Sequence, residues 1–225
     1  MKSNTLEEWR DPSEYYEILY SQYLKNEIDD VSILGLQPCG NLHEYLRVAS
    51  EVCSEPYLLD IGAGNGRNTL ASLKLGFKVD AVERSKSGCA SIRNLTRGHP
   101  VNVINDCMES ISFPNKYHSV LCRDTLHFLS SKNEVKLFIK SLAENTIRQG
   151  NHYITLLTEI QLSHRKHKHR LDYEADEAFE LFEREYRNRF KNIYISTTDI
   201  KLETTPNHLP YCAKRIVVTA WGFEV

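Results

Sequence analysis

The chain is short of the features that place a protein in a membrane, a disulfide framework or a zinc site. Its 225 residues hold no apolar run that approaches a signal segment or a membrane span, and Met1 to Asp11 is polar. The six cysteines, at 39, 53, 89, 107, 122 and 212, are scattered and include no Cys-x-x-Cys pair, which points to a reduced, cytoplasmic setting. Charge of one sign is missing too. The 28 Lys and Arg against 30 Asp and Glu leave a formal −2, which argues against an overall polyanion binder. No internal repeat or low-complexity linker is visible. What remains, 41% hydrophobic and 26% charged, is the composition of a soluble globular chain able to bury one large core.

Apolar patterning predicts alternating strands and helices. An aromatic-rich helix spans Ser13 to about Asn26, with Ser13 as its cap, and a second runs from Leu42 to about Cys53. Tyr57 to Ile61 reads as a strand covered on both faces. A helix from Arg67 to Leu75 ends at Gly76, Phe77 to Glu83 is a strand, and Ser85 opens a helix to about Arg97. Strands follow at Val101 to Ile104 and Tyr117 to Cys122. Ser131-Lys132-Asn133-Glu134 has capping-box spacing before a helix, and a strand at His152 to Leu157 follows a turn at Gly150. The last third predicts a long helix, Tyr173 to Asn192, burying Phe179, Phe182, Tyr186 and Phe190. Strands at Asn192 to Glu203 and Ala213 to Phe223 then form an antiparallel hairpin. The alternation implies an α/β fold, a doubly wound and mostly parallel sheet.

The most informative stretch is Leu58-Leu59-Asp60-Ile61-Gly62-Ala63-Gly64-Asn65-Gly66-Arg67-Asn68, an apolar strand, a glycine turn and a helix start. Alternate glycines let backbone approach a ligand and permit positive φ. A dinucleotide fingerprint requires its third glycine three positions after the second, whereas here Gly66 follows Gly64 by two and position 67 is arginine.

The pattern Asp-x-Gly-x-Gly-x-Gly resembles motif I of the class I S-adenosylmethionine (SAM) dependent methyltransferases. Gly64-Asn65-Gly66-Arg67-Asn68-Thr69 is similar to the tellurite-resistance-type small methyltransferases, and Leu126-His127-Phe128-Leu129 fits that group loosely. The resemblance implies a seven-stranded Rossmann-like sheet closed by a C-terminal antiparallel hairpin, with SAM as cofactor. One domain over 1–225 is expected: a helical cap at 1–53, a cofactor-binding core at 54–160, and a substrate-side insertion, helix and hairpin at 161–225.

Ligands of such sheets bind beyond the carboxyl ends of the strands, so the residues after strands one to five share a rim. The resemblance places SAM's methionine portion and ribose against the amides of Gly62, Ala63, Gly64, Asn65 and Gly66, with Asp60 anchoring the loop or, through water, the ligand's ammonium. Glu83, with Arg84 beside it, accepts from the ribose hydroxyls. Asp106 and the Cys107 amide lie near the adenine, and Arg123 to Phe128 line the junction between donor and acceptor, with Arg123 counted among the cofactor contacts and His127 also among the substrate contacts.

If the acceptor must lose a proton, the candidate bases are His127, Asp124 and Glu159. Bland readings stand beside these: Asp106 as a helix cap, His127 as a packed histidine, Arg123 and Asp124 as a pair with each other, and the N-terminal tyrosines as core. Tyr16 is the tyrosine set against the substrate. His164, Arg165 and Arg170 belong to a basic run at 164–170, read either as a solvated loop or as an anion clamp. Its three histidines lack carboxylate or cysteine partners, so no metal is expected. Cys122-Arg123-Asp124-Thr125 lacks the Asn/Asp-Pro-Pro-aromatic motif of amino-methylating nucleic-acid enzymes and the Pro-Cys of cytosine-C5 enzymes. A small-molecule acceptor is therefore the leading expectation. RNA or protein methylation and a catalytically silent SAM-binding module are the alternatives.

Overall fold

The computed structural model describes residues 12–28, 40–162, 171–202 and 211–224. Seven strands form one sheet: β1 (Tyr57–Ile61), β2 (Lys78–Val82), β3 (Val101–Ile104), β4 (Tyr117–Cys122), β5 (Thr146–Leu162), β6 (Phe190–Leu202) and β7 (Tyr211–Phe223). Their spatial order is β3-β2-β1-β4-β5-β7-β6. The first five pair in parallel, and β7 enters antiparallel between β5 and β6. The expected doubly wound, mostly parallel sheet is present, and the C-terminal hairpin is paired as a hairpin.

Helices cover both faces because the central strands are apolar on both sides. One face packs Leu42, Leu46 and Ala49 of α2 (Gly40–Glu51), Leu73 of α3 (Arg67–Lys74) and Ile92 of α4 (Lys86–Leu95) against Leu58, Val79, Ala81 and Leu121. The other packs Val135, Ile139 and Leu142 of α5 (Lys132–Glu144) and Ala178, Leu181 and Phe182 of α6 (Ala175–Tyr186) against Leu59, Val120, Ile154 and Val218. The N-terminal helix α1 (Pro12–Leu24) forms a smaller cluster around Leu19 and Tyr20.

The start of α4 follows the capping expectation, since the Ser85 hydroxyl accepts from the Gly88 amide at 2.8 Å. Ser131 caps α5 in the same way, and Glu134 reaches back to accept from the amide and hydroxyl of Ser130. Helix α1 begins at Pro12, so Ser13 lies inside it rather than capping it.

Two expectations are corrected in the second half. Gly150 is not a turn before a short strand. It lies within the seventeen-residue β5, at a bulge where Gln149 has φ 67° and the register against β4 shifts. The helix near Tyr173 stops at Tyr186, so Phe190 is the first residue of β6, buried there against Tyr186 and Phe223. Phe179 is 37% exposed, and Ala178 and Leu181 fill the inward positions beside Phe182.

Candidate functional site

The sheet order reverses between β1 and β4, and the segments leaving those two strands meet there. Gly62 has φ 68°, and a Cβ added to it would sit 2.3 Å from the Thr125 hydroxyl oxygen of the segment after β4. Glycine is therefore required at 62 on both conformational and steric grounds. Gly64 has φ 62°, and a Cβ added to it would sit 3.0 Å from the Tyr20 hydroxyl oxygen of α1. Below the loop Asp60 is buried and accepts from the Thr69 hydroxyl at 2.6 Å, tying β1 to the first turn of α3. Burial pushes the Asp60 carboxyl up to about 6, against the pull of that hydrogen bond and of Arg67. Asp60 thus anchors the loop.

Four of the five loop amides are already engaged within the protein. Gly62 and Ala63 donate to the Val82 carbonyl, Gly66 donates to Ala63, and Gly64 donates to the Glu83 carboxylate at 2.9 Å. The turn uses these four to hold itself together and against the end of β2, so of the five amides expected to face a ligand Gly62, Ala63, Gly64 and Gly66 make bonds within the protein. Other groups carry the recognition potential. Glu83 is 7% exposed and its second oxygen accepts from the Ser85 amide at 2.9 Å, so each oxygen keeps a further acceptor position. Burial raises the Glu83 pKa, partly offset by the Ser85 and Gly64 amides. Asn65 Nδ2 and Asn68 Oδ1 are buried without a hydrogen-bond partner among the described residues. A buried diol acceptor beside orphaned amide groups on a glycine turn fits a nucleoside carrying a polar tail.

Helix α1 closes over this corner. Glu17 accepts from the Ser85 hydroxyl at 2.7 Å and from the Ser87 amide and hydroxyl, latching α1 to the start of α4. Burial works against its charge, but those hydrogen bonds prevail and lower its pKa. Tyr16 stacks on Tyr20 at 6.0 Å and meets Phe128 edge-on at 5.8 Å, so α1 spans from the glycine loop to the segment after β4. Tyr16, the tyrosine the sequence sets against the substrate, packs beside that segment, whereas Tyr20 and Glu17 are not singled out by the sequence. The only signal for them is the aromatic density of α1, which names no individual residue.

Asp106 follows β3 and turns its Oδ1 onto the Cys107 amide at 2.7 Å and the Ser110 hydroxyl at 2.9 Å. It caps a turn rather than a helix, and the Cys107 amide is engaged by Asp106 itself. Arg84 offers its carbonyl to Asn105, which also reaches the Glu83 carbonyl, linking the ends of β2 and β3.

The far side of the rim is built from ion pairs. Asp124 has φ 53° and its amide donates to the Thr155 hydroxyl at 2.8 Å. Its carboxylate accepts from Thr155 and, in a two-bond fork at 2.8 and 2.7 Å, from Arg215 of β7. Burial opposes ionisation, but Arg215 and then Arg123 outweigh it and hold the Asp124 pKa below the usual carboxylate range. Glu159, with φ 49° at a bulge in β5, pairs with Lys214 at 2.9 Å and accepts from the Ala175 amide. The hydrogen bond from Lys214 lowers its pKa.

These pairs make Asp124 and Glu159 weak bases, contrary to the expectation from sequence. Arg215 and Lys214, which spoil them, are 91 and 55 residues away and carry no local signal. His127 lies in a single 3₁₀ turn, Leu126–Phe128, buried at 1% exposure with its ring 4.2 Å from that of Phe128. Arg123 begins the same segment. His164, Arg165 and Arg170 lie outside the described residues.

A family model described as a methyltransferase domain matches residues 58–150. No curated protein matches the chain by sequence. Among solved structures, TehB from Haemophilus influenzae has a TM-score of 0.63 at 17% identity, covering 90% of this chain and 67% of that one. YcgJ from Bacillus subtilis has a TM-score of 0.61 at 14% identity, over 82% of this chain and 99% of that one. The N-methyltransferase NodS from Bradyrhizobium japonicum, solved with S-adenosyl-L-homocysteine (SAH), has a TM-score of 0.58 at 11% identity, over 90% and 97%. At these identities the likeness is one of fold.

Proposed function

We propose that this chain is a class I S-adenosylmethionine-dependent methyltransferase, in line with the methyltransferase domain model that matches residues 58–150, and that it methylates a small molecule by in-line displacement within one domain over 1–225. The observation that carries this reading is Glu83. It is a buried carboxylate fixed by two backbone amides at the edge of a glycine turn, with an acceptor position left on each oxygen. Glu83 would hold the ribose hydroxyls, Asn65 and Asn68 would meet the polar tail, and Asp106 would lie at the adenine end. When bound, SAM supplies a methyl group made electrophilic by its sulfonium.

The chain's own part is then binding, orientation and exclusion of water. Tyr16, Tyr20 and Phe128 form an apolar cover between α1 and the segment after β4. Since Asp124 and Glu159 are committed to arginine and lysine, His127 is the base to test where the acceptor must lose a proton. The small-molecule reading is supported by the absence of nucleic-acid motifs after β4. Among the described residues no helix is long and apolar enough to cross a membrane.

The test is transfer of labelled methyl from SAM into a panel of low-mass acceptors, RNA and protein, with SAH release measured in parallel. Label in the low-mass fraction is the expected result. Label in RNA or protein alone replaces the acceptor class, and tight SAH binding without turnover on any acceptor leaves a silent binding module.

A further inference from the structure

Among the described residues, the rim beyond β4 holds two arginines around one buried carboxylate. The Arg123 side chain is only 9% exposed, yet its Nε is buried without a hydrogen-bond partner among the described residues. Its ion pair there is a long one, Nη2 to Asp124 Oδ2 at 3.7 Å. That same oxygen already accepts from Arg215 Nη2 at 2.7 Å, and the other oxygen from Arg215 Nε and Thr155. One carboxylate therefore sits between two guanidinium groups, and the tighter bonds belong to Arg215. The left-handed backbone at Asp124, pinned by its amide to Thr155, keeps this cluster in place where β4 ends beside β5. The neighbouring pair, Lys214 with Glu159, is balanced within itself.

A buried guanidinium nitrogen left without an acceptor is costly, and structures retain such groups where a ligand completes them. The planar fork of arginine suits two oxygens of a carboxylate or other oxyanion. Glu83 and Asp106 assign the nucleoside to the β2 and β3 side, whereas Arg123 lies across the switch point with β5 and β7. We propose that Arg123 is the docking point for an anionic group on the acceptor, so that the molecule methylated here is a carboxylate- or oxyanion-bearing small molecule. The proposal rests on the methyltransferase reading given above.

The experiment uses the full chain saturated with SAH, in buffer free of chloride, titrated calorimetrically with acetate, benzoate and phosphate. At least one of these anions should bind wild type saturably, and Arg123→Gln should weaken it by about tenfold or more while SAH affinity stays within about threefold. Arg123→Lys, which keeps the charge without the fork, should bind the same anion with intermediate affinity and provides a folded comparison should the glutamine variant unfold. Absence of anion binding to the wild-type complex, or equal binding to Arg123→Gln, overturns the proposal. So does a loss of SAH affinity in Arg123→Gln with affinity for 5′-methylthioadenosine unchanged, because the anion is then the cofactor's own carboxylate. Failure of SAH to bind wild type defeats the methyltransferase reading itself, and this proposal with it.

Discussion

On the β1-β2-β3 side of the rim, the contacts that shape the site join residues close along the chain: Ser85 to Glu83, Thr69 to Asp60, and Gly64 to Glu83 across 19 residues. On the β4-β5-β7 side they join Asp124 to Arg215 across 91 residues and Glu159 to Lys214 across 55. The first half is mostly backbone, held by a turn whose glycines admit no side chain. The second is mostly charge, assembled only when β7 inserts between β5 and β6. The proposed split between a cofactor and an acceptor would use this division, since a backbone cradle constrains few side chains and an ion-pair cluster can be rebuilt one residue at a time.

If the halves are separable, breaking the second should spare the first. Arg215→Met leaves the Asp124 carboxylate without its fork and should cost about 2–4 kcal/mol of stability in urea unfolding, with SAH affinity in the folded protein within about threefold of wild type. A parallel collapse of SAH binding would show that the rim acts as one unit.

The next effect belongs to the β1-β2-β3 half and depends on pH. Because the folded Asp60 pKa is raised to about 6, the folded state holds its proton longer than the unfolded state does. Its contribution to stability therefore falls as pH rises from about 4 to 6, and the full burial cost stands above 6. Asp60→Asn should recover up to about 3 kcal/mol at pH 8 and almost nothing near pH 3, measured as paired unfolding curves. A gain independent of pH would place the effect in packing rather than charge.

The smallest effect concerns the cover. Glu17→Ala removes the latch between α1 and Ser85 and Ser87, and should cost about 1 kcal/mol. Hydrogen exchange should rise in 14–24 while β1 and β4 stay protected. Uniform loss of protection would mean that α1 is part of the global unit instead.

The same division explains what could be read in advance. The bounds of β1, β3 and β4 follow from apolar runs, the cap at Ser85 from its hydroxyl, and the glycine turn from spacing, all within a few residues of chain. Gly150 misleads because a glycine at a bulge has the same local signature as one at a turn, and only the pairing of β4 with β5 distinguishes them. The charged run after Tyr186 keeps a helical rhythm, but burial of Phe190 in the sheet ends the helix earlier. Asp124 and Glu159 look like free carboxylates until Arg215 and Lys214 arrive from β7. Tyr20 and Glu17 are indistinct among the aromatic and acidic residues of α1 until α4 is packed beside it.

The central claim is that Glu83 and the glycine turn form a cofactor site, and calorimetry of SAH against wild type and folded Glu83→Ala tests it most directly. Wild type should bind SAH, and the variant should lose about 1–3 kcal/mol of affinity as the buried acceptor proposed for the ribose hydroxyls disappears, with its melting curve showing an intact fold. Undiminished affinity in the folded variant, or no binding by wild type, would contradict the account.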